Sequence, residues 1–266
     1  MFRATGTLTG QSVRVVFQKK GSAWETFQSH CPDIRCLTAV SSKYPREIAW
    51  TIAFDGKKLG QVTGRMPDGF DVYSHIGLQR VISVLPVPTV GKRSIEYGSE
   101  IGPVYRPLVA VSQPFFRDPD SWKPAALSAE QIALLRQNFR RQFPKLCKSN
   151  PRDYKLARFS YRDEDVKAVK AYRSNKQWII ARLNLKAAID CDDVEAQVGI
   201  DDPWFSIGPQ GLGQYLGSGM WLVDAGDYDN DGKSELVFSI VRDNRGGYVL
   251  FYDDFKKSAT FEYFFH

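Results

Sequence analysis

One short run of the chain carries residue types and spacing suited to a defined chemistry: Gly226-Asp227-Tyr228-Asp229-Asn230-Asp231-Gly232-Lys233-Ser234-Glu235. Carboxylates stand at alternate positions, a glycine follows the third, and a glutamate closes the run. In such a loop every second residue turns inward, so Asp227, Asp229 and Asp231 offer oxygen to a common point. Ca²⁺ is a hard cation that takes about six to eight oxygens at about 2.3–2.6 Å in flexible geometry. Gly232 permits the sharp, positive-φ turn that a β-carbon would resist. Lys233 is expected to turn its backbone carbonyl inward and its ammonium to solvent, and Glu235 to close the shell. The expected ligands are therefore Asp227, Asp229, Asp231, Lys233 and Glu235, and the expected cofactor is Ca²⁺. A plain acidic turn is the competing reading, because Asp, Asn and Gly dominate turns anyway. Three aspartates crowded together without a cation would repel one another, which favours the ion.

The flanks decide how the loop is held. An EF-hand needs a glutamate at its twelfth position and a helix on each side. Counted from Asp227, that position is Phe238. Met220-Trp221-Leu222-Val223 before the loop and Leu236-Val237-Phe238-Ser239-Ile240-Val241 after it are bulky, β-branched and aromatic, which predicts strands. A strand–loop–strand calcium site with Gly226 through Phe238 and a following strand Tyr248–Tyr252 resembles the FG-GAP and VCBS-type repeats of β-propellers. The resemblance spans roughly residues 221–252. It implies a structural rather than catalytic ion, pinning a hairpin, in an extracytoplasmic protein.

Elsewhere the chain predicts short antiparallel strands separated by turn signals. Ala4 to Gln18 alternates loosely, with a turn at Thr9-Gly10-Gln11. Ile48–Phe54 is a clear strand, Asp55-Gly56 a hairpin turn, and Leu59–Thr63 the return. Phe70–Ser74, Val81–Leu85 and Leu108–Val111 are further strands. His30–Arg46, Pro86–Pro103, Pro114–Pro124 and Ile189–Pro209 read as loops. Strands follow over Tyr154–Ser160, Val166–Tyr172 and Gln177–Leu183. Asn244-Arg245-Gly246-Gly247 reads as a turn, and Thr260–Phe265 as the last strand. One helix stands out near 128–144: Ser128 and Gln131 form a capping box, and Ile132, Leu135 and Phe139 share a face. The expectation is a mostly β, single domain over 1–266, with sub-parts 1–125, 126–150 and 151–266. Its architecture is expected to be a degenerate propeller of about five blades, at roughly 45–50 residues each, with the helix inserted. A β-sandwich plus helix is the alternative.

Composition sets the remaining limits. Hydrophobic residues make up 43% and charged residues 25%, an ordinary globular balance. No apolar run approaches the length that spans a membrane as a helix. Net charge is +6, mild for a nucleic-acid binder, so nucleic acid is not an expected partner. Met1-Phe2-Arg3-Ala4 opens no apolar leader segment. Four cysteines and a calcium loop suit an oxidising compartment, so a secreted or periplasmic location with the leader removed is expected. Cys31 and Cys36 stand close enough to close a small loop, which leaves Cys147 and Cys191. Three connectivities are open in principle.

Other motifs are weaker. Gly211–Gly219 imitates a dinucleotide loop, but Pro209 precedes it and a strand follows, so its glycines read as a turn or a close backbone approach. The basic residues from Arg136 to Arg158 read as a solvated helix face, with a polyanion contact as the alternative. The function expected is a calcium-stabilised binding or interaction module with a protein or carbohydrate ligand. The alternative is a secreted hydrolase acting on carbohydrate through paired carboxylates. Its candidates are Asp192, Asp193, Glu195, Asp201 and Asp202, beside Trp204 and Phe205.

Overall fold

Alternation of apolar and polar side chains dictates most of what forms, because a strand with one buried face must repeat every second residue. The computed structural model of the protein describes residues 4–9, 11–27, 33–42, 46–65, 78–90, 95–99, 102–144, 146–149, 156–159, 161–185, 202–242 and 245–264. The chain divides into two compact units, residues 1–119 with 221–266 and residues 120–220. It is mostly β, and its strands pair antiparallel wherever their register is described.

The first unit begins with β1 (Ala4–Thr9), β2 (Ser12–Lys20), β3 (Ala23–Thr26), α1 (Ile34–Ser41), β4 (Glu47–Phe54) and β5 (Lys57–Arg65). It continues with β6 (Leu78–Arg80), β7 (Ile95–Ser99), β8 (Gly102–Tyr105) and β9 (Leu108–Val111). Strands β3-β2-β1-β9-β4-β5 form one sheet in that order, and β6 adds to β2. β9 lies between β1 and β4, and its Leu-Val-Ala-Val run is buried on both faces. Leu108 and Ala110 enter one core with Trp50, Ile52 and Val15; Val109 and Val111 enter a second with Phe17 and Ala53. A bulge opposite Thr5 and Gly6 inserts Val16 into β2, so Val16 and Phe17 both join the second core. Between β4 and β5, Asp55 and Gly56 take φ of 51° and 69°, the left-handed pair that a two-residue hairpin turn requires.

The same unit ends with β17 (Met220–Gly226), β18 (Glu235–Arg242), β19 (Arg245–Tyr252) and β20 (Lys257–Phe264), a four-stranded meander. Val223, Val237, Leu250 and Phe261 of this sheet share the second core with the larger sheet. Two sheets face one core, a β-sandwich-like arrangement. Among the described residues no sheet closes on itself.

The second unit holds β10 (Lys123–Pro124), α2 (Ala129–Gln142), β11 (Leu146–Ser149), β12 (Leu156–Phe159), a 3₁₀ turn Asp163–Asp165, β13 (Val166–Arg173), β14 (Ile179–Leu185), β15 (Trp204–Ile207) and β16 (Gly213–Gly217). Strands β10-β13-β14-β15-β16 form one sheet. The expected helix is α2, and its capping box is formed: Gln131 N donates to Ser128 Oγ at 3.3 Å, and Ser128 N donates to Gln131 Oε1 at 2.9 Å. Leu135 and Phe139 of α2 pack on Ile179, Ala181 and Phe205 of the sheet.

Several expectations are corrected. The segment read as a loop over His30–Arg46 contains α1, whose first turn is capped by Asp33, with Cys36 N donating to Asp33 Oδ1 at 2.9 Å. The connection read over Pro86–Pro103 contains β7 and the start of β8, which pair with each other. The loop Ile189–Pro209 contains β15, and the turn at Asn244–Gly247 gives way to β19, which starts at Arg245. Gly247 is a strand glycine because a β-carbon there would lie 2.0 Å from the Phe261 carbonyl oxygen across the ladder. Of Val81–Leu85 only Val81 bridges to another strand, at Gly64. The strand expected at Phe70–Ser74 lies outside the described residues. Cys36 is half-buried and disulfide-bonded; Cys31, Cys191 and the side chain of Cys147 lie outside the described residues. Among the described residues no helix is long and apolar enough to cross a membrane.

Candidate metal centre

β17 delivers the chain to Asp227 and β18 takes it up at Glu235, so the acidic loop closes a β-hairpin. Neither flank is helical, in agreement with the strand reading. The loop turns through left-handed backbone at Asn230 and Gly232, with φ of 60° and 87°. Gly226 ends β17 against the Phe116 ring, where a β-carbon would lie 2.2 Å from Phe116 Cζ. Phe116 in turn stacks on Tyr228, with centroids 5.5 Å apart.

Three of the expected ligands converge. Asp227, Asp229 and Glu235 each place a carboxylate oxygen within 4.8 Å of the others, and all three residues are buried. Asp231 and Lys233 are exposed at the rim. Asp231 Oδ1 accepts from Lys233 N at 2.9 Å, and the Lys233 ammonium lies 3.6 Å from Asp253 Oδ1.

The loop's amides point at its own acids. Asp227 accepts from Asp231 N at 3.0 Å through Oδ1 and from Gly232 N at 2.9 Å through Oδ2. Asp229 Oδ1 accepts from Asp231 N at 3.2 Å, and Glu235 Oε2 accepts from Tyr228 N at 2.8 Å. Burial pushes the Glu235 carboxyl up to about 9, with the charge of Asp229 the next cause. Burial also raises Asp227, although the Gly232 and Asp231 amides pull the other way. Three acids in so dry a place cannot all stay ionised without positive charge beside them. The donors are all oxygen, hard and anionic. That set fits Ca²⁺ and does not fit soft metals, which favour sulfur.

The surroundings of the loop come from distant chain. Asp227 N donates to the Arg117 carbonyl at 2.9 Å, and Ser234 Oγ donates to Asp118 Oδ1 at 2.6 Å. Lys19 on β2 forms an ion pair with Asp229 Oδ2. Inside β17, buried Asp224 accepts from Gly56 N at 2.8 Å and from Ala225 N at 2.9 Å. Burial pushes the Asp224 carboxyl up to about 7. Sequence reasoning finds none of Lys19, Phe116, Asp118 or Asp224: the first three stand far from the loop in sequence, and Asp224, three residues before Asp227, takes its partner from the β4–β5 turn.

Among the described residues the other sequence candidates assemble no site. Asp192, Asp193, Glu195 and Asp201 lie outside the described residues. Asp202 is engaged by Arg182 at 3.8 Å and by Asn184 Nδ2 at 3.3 Å. Trp204 and Phe205 are core residues of β15, at 0% and 1% exposure, and present no platform for a sugar. Gly213 marks the close approach expected of the glycine run, since a β-carbon there would lie 2.0 Å from Asn138 Nδ2. The arginines of α2 are held within the fold. Arg136 donates to Val166 O, Arg140 pairs with Asp163, and Arg141 donates to Asn138 Oδ1 and Gly213 O.

Comparison of the chain with family models, with curated proteins and with solved structures returns no match.

Proposed function

We propose that the protein is an extracytoplasmic, calcium-stabilised β-rich binding module whose ligand is a protein or a carbohydrate. The observation that carries this reading is the buried triad Asp227, Asp229 and Glu235, closed by a hairpin and backed by loop amides. In this reading those three carboxylates hold Ca²⁺, and Asp231 and the Lys233 carbonyl complete the shell from the rim. The ion supplies positive charge that lets the acids ionise. The loop's own residues shape the hairpin and keep water from it, so the ion serves architecture and not catalysis.

The β17–β20 meander has the make-up of one propeller blade, in keeping with the FG-GAP and VCBS-type resemblance. The larger sheet does not have that make-up, since β9 is inserted between β1 and β4. We therefore read the molecule as a sandwich that carries one blade-like hairpin sheet, not as a ring of blades. The oxidised Cys36 agrees with a location outside the cytoplasm.

Calcium titration by calorimetry tests the reading, with Asp227→Asn as the comparison. The substitution removes a charge and keeps one of the two oxygens that accept from the loop amides. The parent is expected to bind calcium and to melt higher with it. The variant is expected to lose most of both responses. A parent with no heat of binding and no melting shift up to about 10 mM calcium, beyond the weakest range of extracellular sites, would end the proposal.

A further inference from the structure

Lys19 and Lys20 are neighbours on β2 with opposite fates. Lys20 pairs with Glu25 at the surface, both side chains being well exposed. Lys19 points inward, its side chain 10% exposed, and its ammonium pairs with Asp229 Oδ2, whose side chain is 1% exposed. The same ammonium lies 5.2 Å from the centre of the Trp24 ring and 5.5 Å from that of Tyr252. A cation, a carboxylate and two ring faces thus meet where the acidic loop of one sheet touches β2 of the other. A buried ammonium is costly to desolvate unless such partners surround it.

The loop's own chemistry does not ask for Lys19. A divalent ion needs the oxygens of Asp229, and an ammonium on one of them is both a rival for that oxygen and a like charge nearby. Without the divalent ion, the same ammonium is the positive charge that the buried acids require. We infer that Lys19 is a resident cation of the site: it holds Asp229 when calcium is absent, competes with calcium for that carboxylate, and so sets the calcium affinity. Its anchoring on β2 also keeps the β17–β18 hairpin docked on the larger sheet in the metal-free state. The inference rests on the calcium reading given above.

The test is Lys19→Met in the full chain, which keeps an apolar stem beside Trp24 and Tyr252 and removes the charge. Calcium affinity is measured by calorimetry, and melting is followed both in chelator and in saturating calcium. The variant is expected to bind calcium about tenfold more tightly. It is expected to melt below the parent in chelator and level with it in saturating calcium. Lys19→Arg, which retains the charge, is expected to stay close to the parent, and Lys19→Gln replaces the methionine variant if that fails to fold. Calcium affinity that is unchanged or weaker in the neutral variant overturns the inference while leaving the calcium reading intact. A parent that does not respond to calcium at all overturns both.

Discussion

At the scale of single residues, the acidic loop buries three of its carboxylates, those of Asp227, Asp229 and Glu235. Glu235 shows the consequence for stability. In the unfolded chain it titrates near the ordinary glutamate value, about 4.3. In the folded, metal-free protein its carboxyl is pushed up to about 9 by burial and by Asp229. Between those values the folded state binds more protons than the unfolded state, so stability falls as pH rises. The contribution is fully present below the unfolded value and is lost as pH climbs through the folded one. Asp224, pushed up to about 7 by burial, acts in the same direction over the lower part of that window. Calcium, bound as proposed, would take the place of the proton on Glu235 and leave Asp224 untouched. Melting in chelator is therefore expected to fall from about pH 5 to about pH 9, and saturating calcium to remove much of the fall above about pH 7. Glu235→Gln, which cannot ionise, is expected to flatten the chelator profile over that upper range; a variant profile as steep as the parent's would refute the assignment. The loop residues were legible because their spacing is local: Asp227, Asp229, Gly232 and Glu235 do their work within one turn of chain. Lys19 and Asp224 were not legible, because each meets a partner far away in sequence, Lys19 the Asp229 carboxylate and Asp224 the Gly56 amide of the β4–β5 turn.

At the scale of elements, the end of β17 meets the segment before β10 in a contact that leaves no spare space. Phe116 fills the position that a side chain at 226 would need, and it stacks on Tyr228 inside the loop. Gly226 is therefore required by its neighbour, while its own φ is not in the left-handed region. Gly226→Ala is expected to destabilise the protein by about 1–3 kcal/mol, the usual cost of overpacking a filled interior. Phe116→Leu is expected to destabilise on its own, yet to relieve part of the Gly226→Ala penalty when the two are combined. Chemical denaturation of the four proteins measures the coupling, and strict additivity would show that the two positions do not compete for space. The elements that were readable share a property with this contact. β4 is legible as an apolar run with a core on each face, Trp50 and Ile52 entering one and Ala53 the other, and α2 announces itself through Ser128 and Gln131. Short α1, β7 and β11 were missed because so few residues carry little periodicity, and pairing with a neighbour, or a single cap such as Asp33, outweighs the local preference. Gly247 misled for a related reason: a glycine chosen so that two strands can approach looks, in sequence, like a glycine chosen for a turn.

At the scale of the whole molecule, the first unit is assembled from both ends of the chain, residues 1–119 and 221–266, and the second from the segment between them. The second core of the first unit needs both ends: Phe17 and Val109 come from one, Leu250 and Phe261 from the other. Joining such distant segments is slow and costs loop-closure entropy before any contact offsets it. The acidic loop stands at that join, with Asp229 meeting Lys19, Ser234 meeting Asp118, and Asp227 bonded to the Arg117 carbonyl. An ion bound there stabilises the folded first unit by mass action, by about 2.7 kcal/mol at a hundredfold excess over the dissociation constant. The second unit has its own core, in which Leu135 and Phe139 pack on the β13–β15 strands, and contains none of the proposed ligands. Hydrogen exchange is expected to register this division. Calcium should slow exchange of amides in β17, β18 and β2, which open only when the first unit opens, and leave those in α2 and β14 at their metal-free rates. Equal slowing in both sets would mean that the two units unfold as one, and unchanged rates in both would mean that the acidic loop does not fasten the ends of the chain together.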